Sequence, residues 1–315
     1  MTPKVSVVIP VYNKSRWVEE TLKSVTNQSY EDWECIIIDD GSTDESLEVI
    51  RKFIESNPGE WKLLTQDNSG QCIARNRGIK ESAGEYIAFL DGDDTWAANK
   101  LDAQVKLLDV NHDASLVICP YRIYKQGESQ ERGRLVLHAN NRKMLTSWLN
   151  LRGFGAGTES TGMARKSFLL SIGGFDPRLS TSAGLDLTLR LEMLGKILTA
   201  KNTFMKYRIY TGQWHANLEM LSADLGQLRQ KHAETSRILG THMADKHDAY
   251  IYLQELRQNF TKRKFFDIIR HPRPFFYLMI LALCIVRRNS MARMRAISPN
   301  LLTQIPKNYL KNLFT

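Results

Sequence analysis

Short apolar runs alternate with amphipathic stretches along the first part of the chain. Short, largely apolar runs predict strands at residues 5–9, 34–38, 61–65 and 85–90, and the first two runs are rich in Val and Ile, as in strands buried on both faces. Apolar residues that recur every three or four positions predict helices at residues 15–28, around Leu47, Ile50 and Ile54, and at residues 73–82. This alternation of strand and helix predicts an α/β fold with a right-handed, mostly parallel central sheet.

The second predicted helix carries a start signal. Ser42 is followed three residues later by Glu45, which is the spacing of a capping box. In that motif the hydroxyl and the carboxylate each accept a hydrogen bond from the other residue's backbone N–H. We therefore expect Ser42 to be the N-cap of this helix.

Polar residues follow three of the predicted strands, at residues 10–13, 39–44 and 91–94. In a parallel sheet, ligands bind beyond the carboxyl ends of the strands. The last group has three carboxylates in four residues, Asp91, Asp93 and Asp94, and Gly92 would let the chain bend so that Asp91 and Asp93 point the same way. Such carboxylates repel each other unless a cation lies among them, and Mg²⁺ or Mn²⁺ prefers oxygen ligands. The alternative is an ordinary polar turn.

The turn after the first strand excludes two common nucleotide sites. It reads Pro10-Val11-Tyr12-Asn13, with neither the glycine pattern of a dinucleotide-binding turn nor that of a P-loop. It offers an aromatic ring for stacking rather than a cluster of backbone amides. Phosphate charge would then be met by a metal at Asp91 and Asp93.

The charge of the chain is unevenly distributed. The 315 residues carry a formal charge of +9, but residues 257–315 contain twelve Lys and Arg against one acid, Asp267, a net charge of +11 that leaves −2 for the rest. A nucleic-acid-binding main body is therefore not expected. Within the tail, residues 275–286 are apolar, too short to span a bilayer and flanked by Arg, which favours a helix on an anionic membrane surface. A core helix is the alternative.

Cysteine usage and the N-terminus bear on location. Cys35, Cys72, Cys119 and Cys284 are far apart, and no spacing pairs them as a disulfide framework or a zinc site. The chain enters a strand almost at once, without a signal segment. We expect a reduced, cytoplasmic protein.

Four motifs, in order, resemble glycosyltransferase family 2, the inverting enzymes with the GT-A fold. They are Val-Ser-Val-Val-Ile-Pro-Val-Tyr-Asn, Ile-Ile-Ile-Asp-Asp-Gly-Ser-Thr-Asp, Asn-Ser-Gly-Gln-Cys-Ile-Ala-Arg-Asn-Arg-Gly and Phe-Leu-Asp-Gly-Asp-Asp. The resemblance covers roughly residues 4–208. It implies a nucleotide-diphospho-sugar transferase with a mostly parallel central sheet.

The resemblance also assigns a donor site. It implies that Pro10, Val11 and Tyr12 line the nucleotide base and ribose, that Asp40 takes the base edge, and that Arg75 lies beside the base. Asp91-Gly92-Asp93 becomes the Asp-x-Asp motif. There Asp91 and Asp93 would hold Mn²⁺ or Mg²⁺ together with the diphosphate of the nucleotide sugar. For Arg75 alone, the alternative is a solvated helix charge.

On the acceptor side, residues 184–191 resemble the family signature in which an acidic pair opens a helix and its second carboxylate is the general base. The pair here is Leu185-Asp186, so the catalytic role rests on Asp186 alone. Leu187, Leu191 and Leu194 place Asp186 in the first turn of that helix, pointing into the cleft. The alternative is an Asp favoured by the helix dipole.

The remaining segments complete a proposed layout. We expect a helix around Leu101, strands at 116–119 and 204–209, a hairpin or acceptor-side excursion at 121–141, a helix at 144–151 and a flexible loop closing over substrate at 153–162. The resemblance implies a His near position 210, in a loop that reaches the diphosphate, as a third metal ligand. This chain has Tyr210 there, which puts that ligand in doubt, although His215 could replace it. The domains would be 1–215, with a nucleotide-sugar half at 1–110 and an acceptor half at 111–215, and a helical, basic extension at 216–315.

These expectations define one function and two rivals. The function is inverting transfer of a single sugar from a UDP-sugar to a hydroxyl of a glycan or lipid-linked acceptor, in cell-surface polysaccharide biosynthesis, peripheral to the inner face of the membrane. One rival is a decayed sugar-nucleotide-binding scaffold, suggested by the missing acid at position 185. The other is a nucleotidyltransferase, which would need a glycine-rich basic loop after the first strand.

Overall fold

A computed structural model describes residues 2–125, 134–136, 159–210 and the single positions 224, 227 and 231, with backbone alone at 125 and 134–136. All of them lie in the first of two units into which the chain divides, Met1–His247 and Asp248–Thr315. Several predicted features lie outside the described residues: the helix at 144–151, most of the loop at 153–162, His215, Cys284 and the apolar run at 275–286.

Two sheets and six helices organise the described residues. The strands are β1 (Val5–Val11), β2 (Trp33–Asp39), β3 (Trp61–Thr65), β4 (Tyr86–Phe89), β5 (Thr95–Trp96), β6 (Ala114–Ile118), β7 (Tyr121–Lys125), β8 (Arg134–Val136), β9 (Met163–Arg165), β10 (Lys196–Thr199) and β11 (Met205–Ile209). The helices are α1 (Val18–Thr26), α2 (Ser46–Ser56), α3 (Gln71–Glu81), α4 (Lys100–Val110), α5 (Lys166–Ser171) and α6 (Ala183–Leu194), with a 3₁₀ turn at Glu159–Thr161.

The larger sheet has seven strands in the order β10-β6-β9-β4-β1-β2-β3. Neighbouring strands are parallel except where β9 pairs antiparallel with β4 and β6. All seven residues of β1 are buried, as expected for a strand covered on both faces. The α/β fold with a mostly parallel sheet is confirmed, and the carboxyl ends of β1, β2 and β4 meet along one edge.

The smaller sheet has the order β5-β11-β7-β8. β7 and β8 are antiparallel partners, which confirms the hairpin alternative for residues 121–141. β11 pairs with β5, the short strand that directly follows the aspartate turn. This pairing places residues 208 and 210 against that turn.

The capping box predicted for α2 is wrong. The helix begins at Ser46, and the Ser46 N–H donates to Asp44 Oδ1 at 3.0 Å. The Ser42 hydroxyl instead accepts from the backbone N–H of Asn13 at 3.0 Å. Because the loop after β2 is tied to the end of β1, Ser42 serves that contact rather than the helix start.

Other described features bear on the predicted organisation. Cys35, Cys72 and Cys119 are free and buried. Within the described ranges, no helix is long and apolar enough to cross a membrane. Asp224 accepts hydrogen bonds from the backbone N–H groups of residues 180–182, so a side chain beyond position 215 holds the segment that leads into α6. The domain boundary at 215 stays a prediction.

Gly78 allows α3 to pack closely on the large sheet. A Cβ at this position would lie 2.3 Å from Val8 Cγ1 and 3.0 Å from Ile38 Cδ1. We expect Gly78→Ala to destabilise the fold by about 1–2 kcal/mol, since overpacking outweighs the gain in helix propensity. Urea unfolding measures this. The exposed Val110→Ala variant is the control, with a change of about 0.5 kcal/mol or less. A Gly78→Ala protein as stable as the wild type would contradict the packing.

Candidate active site

The aspartate turn follows β4 and lies against the end of β1. The Asp94 N–H donates to the Asp91 carbonyl at 3.0 Å and closes the turn. A Cβ on Gly92 would lie 3.3 Å from Lys14 Cγ and 3.4 Å from the Pro10 carbonyl. The φ angle of Gly92 is not positive. Glycine is therefore favoured here by the close approach of the turn to β1 and not by an unusual backbone angle.

Asp91 is paired with a buried arginine. Arg75 Nη2 lies 2.6 Å from Asp91 Oδ1, and Arg75 Nη1 lies 3.3 Å from Glu159 Oε1. The Arg75 side chain is buried and also stacks on Phe175, with 5.2 Å from Cζ to the ring centroid. One guanidinium group therefore joins a strand-end carboxylate to a carboxylate from the 3₁₀ turn.

Asp93 is held by two side chains from distant parts of the chain. Lys14 Nζ donates to Asp93 Oδ2 at 2.6 Å, and the Tyr210 hydroxyl donates to the same oxygen at 2.7 Å. Burial lowers the pKa of Lys14, but the Asp93 charge and the hydrogen bonds to Asp93 and Tyr210 together raise it more, so that it lies above its ordinary value. Burial and then Asp93 raise the pKa of Tyr210 to about 12. Lys14 is therefore a cation and Tyr210 a neutral donor at physiological pH.

Asp94 is buried and bonded to other segments of the chain. Its side chain is fully buried and accepts from the Ser160 hydroxyl at 2.7 Å and from the Arg208 N–H at 3.3 Å. The Ser160 hydroxyl also accepts from the Asp91 N–H at 3.0 Å. Burial, with the charges of Asp93 and Asp91, raises the pKa of Asp94 well above its ordinary value. Asp94 thus fastens the 3₁₀ turn and β11 to the aspartate turn.

The aromatic side chain that the sequence predicts for the end of β1 is exposed there. Pro10 and Val11 are buried, whereas Tyr12 is 43% exposed. Asn13 has φ 53, and its side-chain oxygen accepts from the Thr43 N–H at 2.8 Å. This contact joins the loops after β1 and β2, and Tyr12 lies at their edge. The assignment of Pro10, Val11 and Tyr12 to a nucleotide stays a prediction.

Asp40 organises the loop before α3. Its Oδ1 accepts from Gln66 Nε2 at 2.7 Å and from the Ser69 N–H at 2.9 Å, and its Oδ2 accepts from the Gly70 N–H at 2.9 Å. Gly70 has φ 91, a left-handed conformation that glycine adopts without strain. Asp40 is buried, so its predicted contact with a base edge would be made in addition to these three bonds.

Asp186 lies in the first turn of α6, as predicted, but its side chain is fully buried. Arg190 Nη2 lies 2.5 Å from Asp186 Oδ2, and Lys231 Nζ lies 3.0 Å from Asp186 Oδ1. Lys231 also pairs with Asp176 at 2.7 Å. Enclosure between two cations is the expected environment of a structural carboxylate, and the role of Asp186 as general base stays a prediction.

Sequence reasoning did not single out Lys14 and Glu159. Lys14 follows directly on the polar turn after β1, so its position at a strand end was an available signal. Glu159 is the one acid in the small, glycine-rich segment 153–162, and that isolated charge was the signal there. Burial raises the pKa of Glu159, Arg75 opposes the shift and Asp91 adds to it, so that the pKa lies above its ordinary value.

The donor atoms at the aspartate turn suit a divalent cation that shares its ligands with a substrate. Within the part of the chain that the structure describes, no three His, Cys, Asp or Glu side chains cluster as a metal site. Mg²⁺ typically binds one or two carboxylates and completes its shell with phosphate oxygens and water. Asp91, whose side chain is 26% exposed, and Asp93 can supply those two carboxylates.

The fold and the strand-end carboxylates define a GT-A-like nucleotide-sugar transferase architecture. The model of the glycosyl transferase family 2 matches residues 6–169, just over half of the chain. The chain belongs to glycosyl transferase family 2.

Individual relatives match a shorter stretch of the chain. An uncharacterized glycosyltransferase of Haemophilus influenzae is 41% identical over 110 residues, which is 35% of this chain and 44% of the relative. The Escherichia coli UDP-Glc:alpha-D-GlcNAc-diphosphoundecaprenol beta-1,3-glucosyltransferase WfgD is 38% identical over 109 residues, 34% of this chain and 42% of WfgD. The chain thus covers less than half of the length of these relatives.

Two solved structures share the fold. The mannosyltransferase PcManGT from Pyrobaculum calidifontis, in complex with GDP-Man and Mn²⁺, has a TM-score of 0.59 at 17% identity, covering 99% of this chain and 83% of PcManGT. S. aureus TarS 1-349 in complex with UDP-GlcNAc has a TM-score of 0.57 at 19% identity, covering 82% and 73%. At these identities the likeness concerns the fold alone.

Proposed function

We propose that this protein transfers a single sugar, with inversion, from a nucleotide-diphospho-sugar to a hydroxyl of a glycan or lipid-linked acceptor. The observation that carries the proposal is the arrangement of Asp91 and Asp93 at the carboxyl end of β4, between Arg75 and Lys14. The two carboxylates can share a metal with a diphosphate, and the neighbouring cations can pair with phosphate oxygens. Family membership and the GT-A-like fold support it.

In this proposal, Pro10, Val11 and Tyr12 contact the base and ribose, and Asp40 reaches the base edge. Asp91 and Asp93 hold Mn²⁺ or Mg²⁺, which when bound stabilises negative charge on the leaving diphosphate. Gly92 keeps the turn close to β1, and Lys14 adds positive charge near the phosphates. Arg75, which the resemblance assigns to a position beside the base, is held between Asp91 and Glu159. A carboxylate on the acceptor side takes the proton of the attacking hydroxyl.

The donor is proposed to be a UDP-sugar, and the acceptor a lipid-linked or growing surface glycan. WfgD is named for UDP-Glc and for a diphosphoundecaprenol acceptor, and TarS 1-349 was solved with UDP-GlcNAc, which supports this choice. We propose a hexosyl or an N-acetylhexosaminyl donor, because UDP-Glc and UDP-GlcNAc are named for these two proteins. Association of the basic tail at 257–315 with the inner membrane surface belongs to the same proposal.

A panel of UDP-glucose, UDP-N-acetylglucosamine and GDP-mannose with Mn²⁺ tests the function, with nucleotide products separated by chromatography. Release of a nucleoside diphosphate from one donor is expected. Release of a nucleoside monophosphate or pyrophosphate would identify attack at phosphorus, as in a nucleotidyltransferase. Binding of a donor without turnover would favour the decayed sugar-nucleotide-binding scaffold, and a protein that neither binds nor turns over any donor is not a glycosyltransferase for these donors.

Lys14 and a metal compete for Asp93. Because Lys14 Nζ lies 2.6 Å from Asp93 Oδ2, removal of its charge eliminates repulsion of a cation at the same carboxylate. We expect Lys14→Met to bind Mn²⁺ alone about fivefold more tightly, measured by electron paramagnetic resonance of free Mn²⁺. Lys52→Met, which removes an exposed pair with Glu48, is the control and should leave Mn²⁺ affinity unchanged. Equal or weaker binding by Lys14→Met would contradict this account.

A further inference from the structure

The carboxylate of Glu159 fills the space that a side chain at position 184 would occupy. An ideal Cβ on Gly184 would lie 2.7 Å from Glu159 Oε1 and 2.8 Å from Glu159 Cδ. Glu159 therefore places a carboxylate at the start of α6 from another segment of the chain.

The position of Glu159 is fixed relative to the aspartate turn. Its neighbour Ser160 donates to Asp94 and accepts from the Asp91 N–H, while the Ser160 carbonyl accepts from Trp96 Nε1 at 2.8 Å. Arg75 then bridges Glu159 to Asp91. A rigid support of this kind is what a group in an active site requires, because small displacements reduce rates strongly.

Glu159 and Asp186 differ in access. The Glu159 side chain is 16% exposed and shares its arginine with Asp91. Asp186 is completely enclosed, and its oxygens face Arg190 and Lys231. A general base must come within hydrogen-bond reach of the proton that it takes. Glu159 meets that condition with less rearrangement than Asp186.

We propose that Glu159, reaching the first turn of α6 where Gly184 leaves room for it, is the carboxylate that takes the proton from the acceptor hydroxyl. The inference rests on the proposed glycosyl transfer. In the step, the acceptor oxygen forms a bond to the anomeric carbon as its proton passes to Glu159. The bond from that carbon to the diphosphate oxygen breaks, and its electron pair leaves with the nucleoside diphosphate.

The test compares variants for turnover of UDP-glucose, UDP-N-acetylglucosamine and GDP-mannose, alongside calorimetric binding of UDP and GDP with Mn²⁺. We expect Glu159→Gln to lower kcat by roughly 10²–10⁴-fold, the range for loss of a general base, with nucleotide binding within threefold of wild type. Glu85→Gln, which removes a half-exposed carboxylate paired with Lys4, should leave both unchanged.

Moving the carboxylate from position 159 to position 184 distinguishes a catalytic role of Glu159 from a structural one. Since Asp oxygens lie two bonds beyond Cβ, Glu159→Ala/Gly184→Asp returns a carboxylate near the original point. We expect it to recover at least tenfold of the kcat lost in Glu159→Ala. Glu159→Ala/Gly184→Asn has the same shape without the charge and should recover nothing. A merely structural counter-ion of Arg75 would change unfolding stability in these variants without this difference in kcat.

Several outcomes would overturn the inference. Glu159→Gln turning over within threefold of wild type, with Asp186→Asn inactive, would assign the base to Asp186. Equal recovery by the Gly184→Asp and Gly184→Asn double variants would make Glu159 structural. Wild-type protein that binds nucleotide with Mn²⁺ but turns over none of the three donors would also overturn it, whereas failure to bind any nucleotide would overturn the proposed function itself.

Discussion

Replacing Arg75 by Met is expected to destabilise the fold by about 3 kcal/mol. The guanidinium is buried between Asp91 and Glu159, and removing one partner of a buried pair leaves uncompensated charge, at a typical cost of about 3–5 kcal/mol. The partial exposure of both carboxylates places the expectation at the lower end. Met keeps most of the length of the arginine side chain, so the loss of stability is due mainly to removal of the charge. Urea unfolding at pH 7 measures it.

The stability that Arg75→Met loses relative to the wild type should depend on pH in a defined direction. Burial already raises the pKa of Glu159 above 4.5, and loss of Arg75 removes the group that opposes this shift. The folded variant then binds more protons than the unfolded chain, so its stability falls as pH rises above about 4.5. The deficit relative to wild type should therefore shrink in acid. A deficit that grew toward acid would contradict the assignment of charge.

Arg77→Met is the matched control for that experiment. Arg77 lies on the same helix, and its Nη1 donates to the Thr65 carbonyl at 2.8 Å and to Gln66 Oε1 at 3.2 Å rather than to carboxylates. We expect a cost of about 1 kcal/mol, because both bonds are to neutral groups and neither is fully buried. If Arg75→Met cost no more than Arg77→Met, the Asp91–Arg75–Glu159 arrangement would not contribute to stability as described.

Replacing Asp93 by Asn is expected to lower the affinity for UDP in the presence of Mn²⁺ by roughly a hundredfold, about 2.7 kcal/mol. Asn keeps the shape of the side chain but removes the charge that would bind the metal. It also leaves the Lys14 ammonium without its carboxylate, 2.6 Å away in the wild type. Titration calorimetry with UDP and Mn²⁺ measures the effect.

The control for Asp93→Asn is Asp102→Asn. Asp102 pairs with Lys106 on the surface of α4 at 2.8 Å, so its replacement should leave UDP binding unchanged. Circular dichroism confirms that both variants are folded. Binding by Asp93→Asn within threefold of the wild type would mean that the nucleotide does not depend on the aspartate turn.

The elements near the site were predictable because their signals are local. The buried run before Asp91 and the abrupt change to carboxylates after it need no knowledge of distant residues. The apolar stripe around Leu187 and Leu191 likewise gave the helix that carries Asp186. Resemblance to the family then supplied roles for the side chains, which periodicity alone does not assign.

The partners of those side chains were not predictable, since they come from far along the chain. Lys14 and Tyr210 reach Asp93 from 79 and 117 positions away. Lys231 closes over Asp186 from 45 positions away. A sequence pattern shows that Asp186 lies in the first turn of a helix, but only the folded chain shows that it is buried between cations. Glu159 reaching the space beside Gly184 is a contact of the same kind.

Proton nuclear magnetic resonance of the first sugar product tests the central claim most directly. UDP-glucose, UDP-N-acetylglucosamine and GDP-mannose each carry their sugar in α linkage, so direct attack by the acceptor on the anomeric carbon gives a β product. The account predicts a β anomeric signal in the earliest spectra, with nucleoside diphosphate released in equal amount. An α product at the earliest times would contradict single displacement and the inverting mechanism proposed for this site.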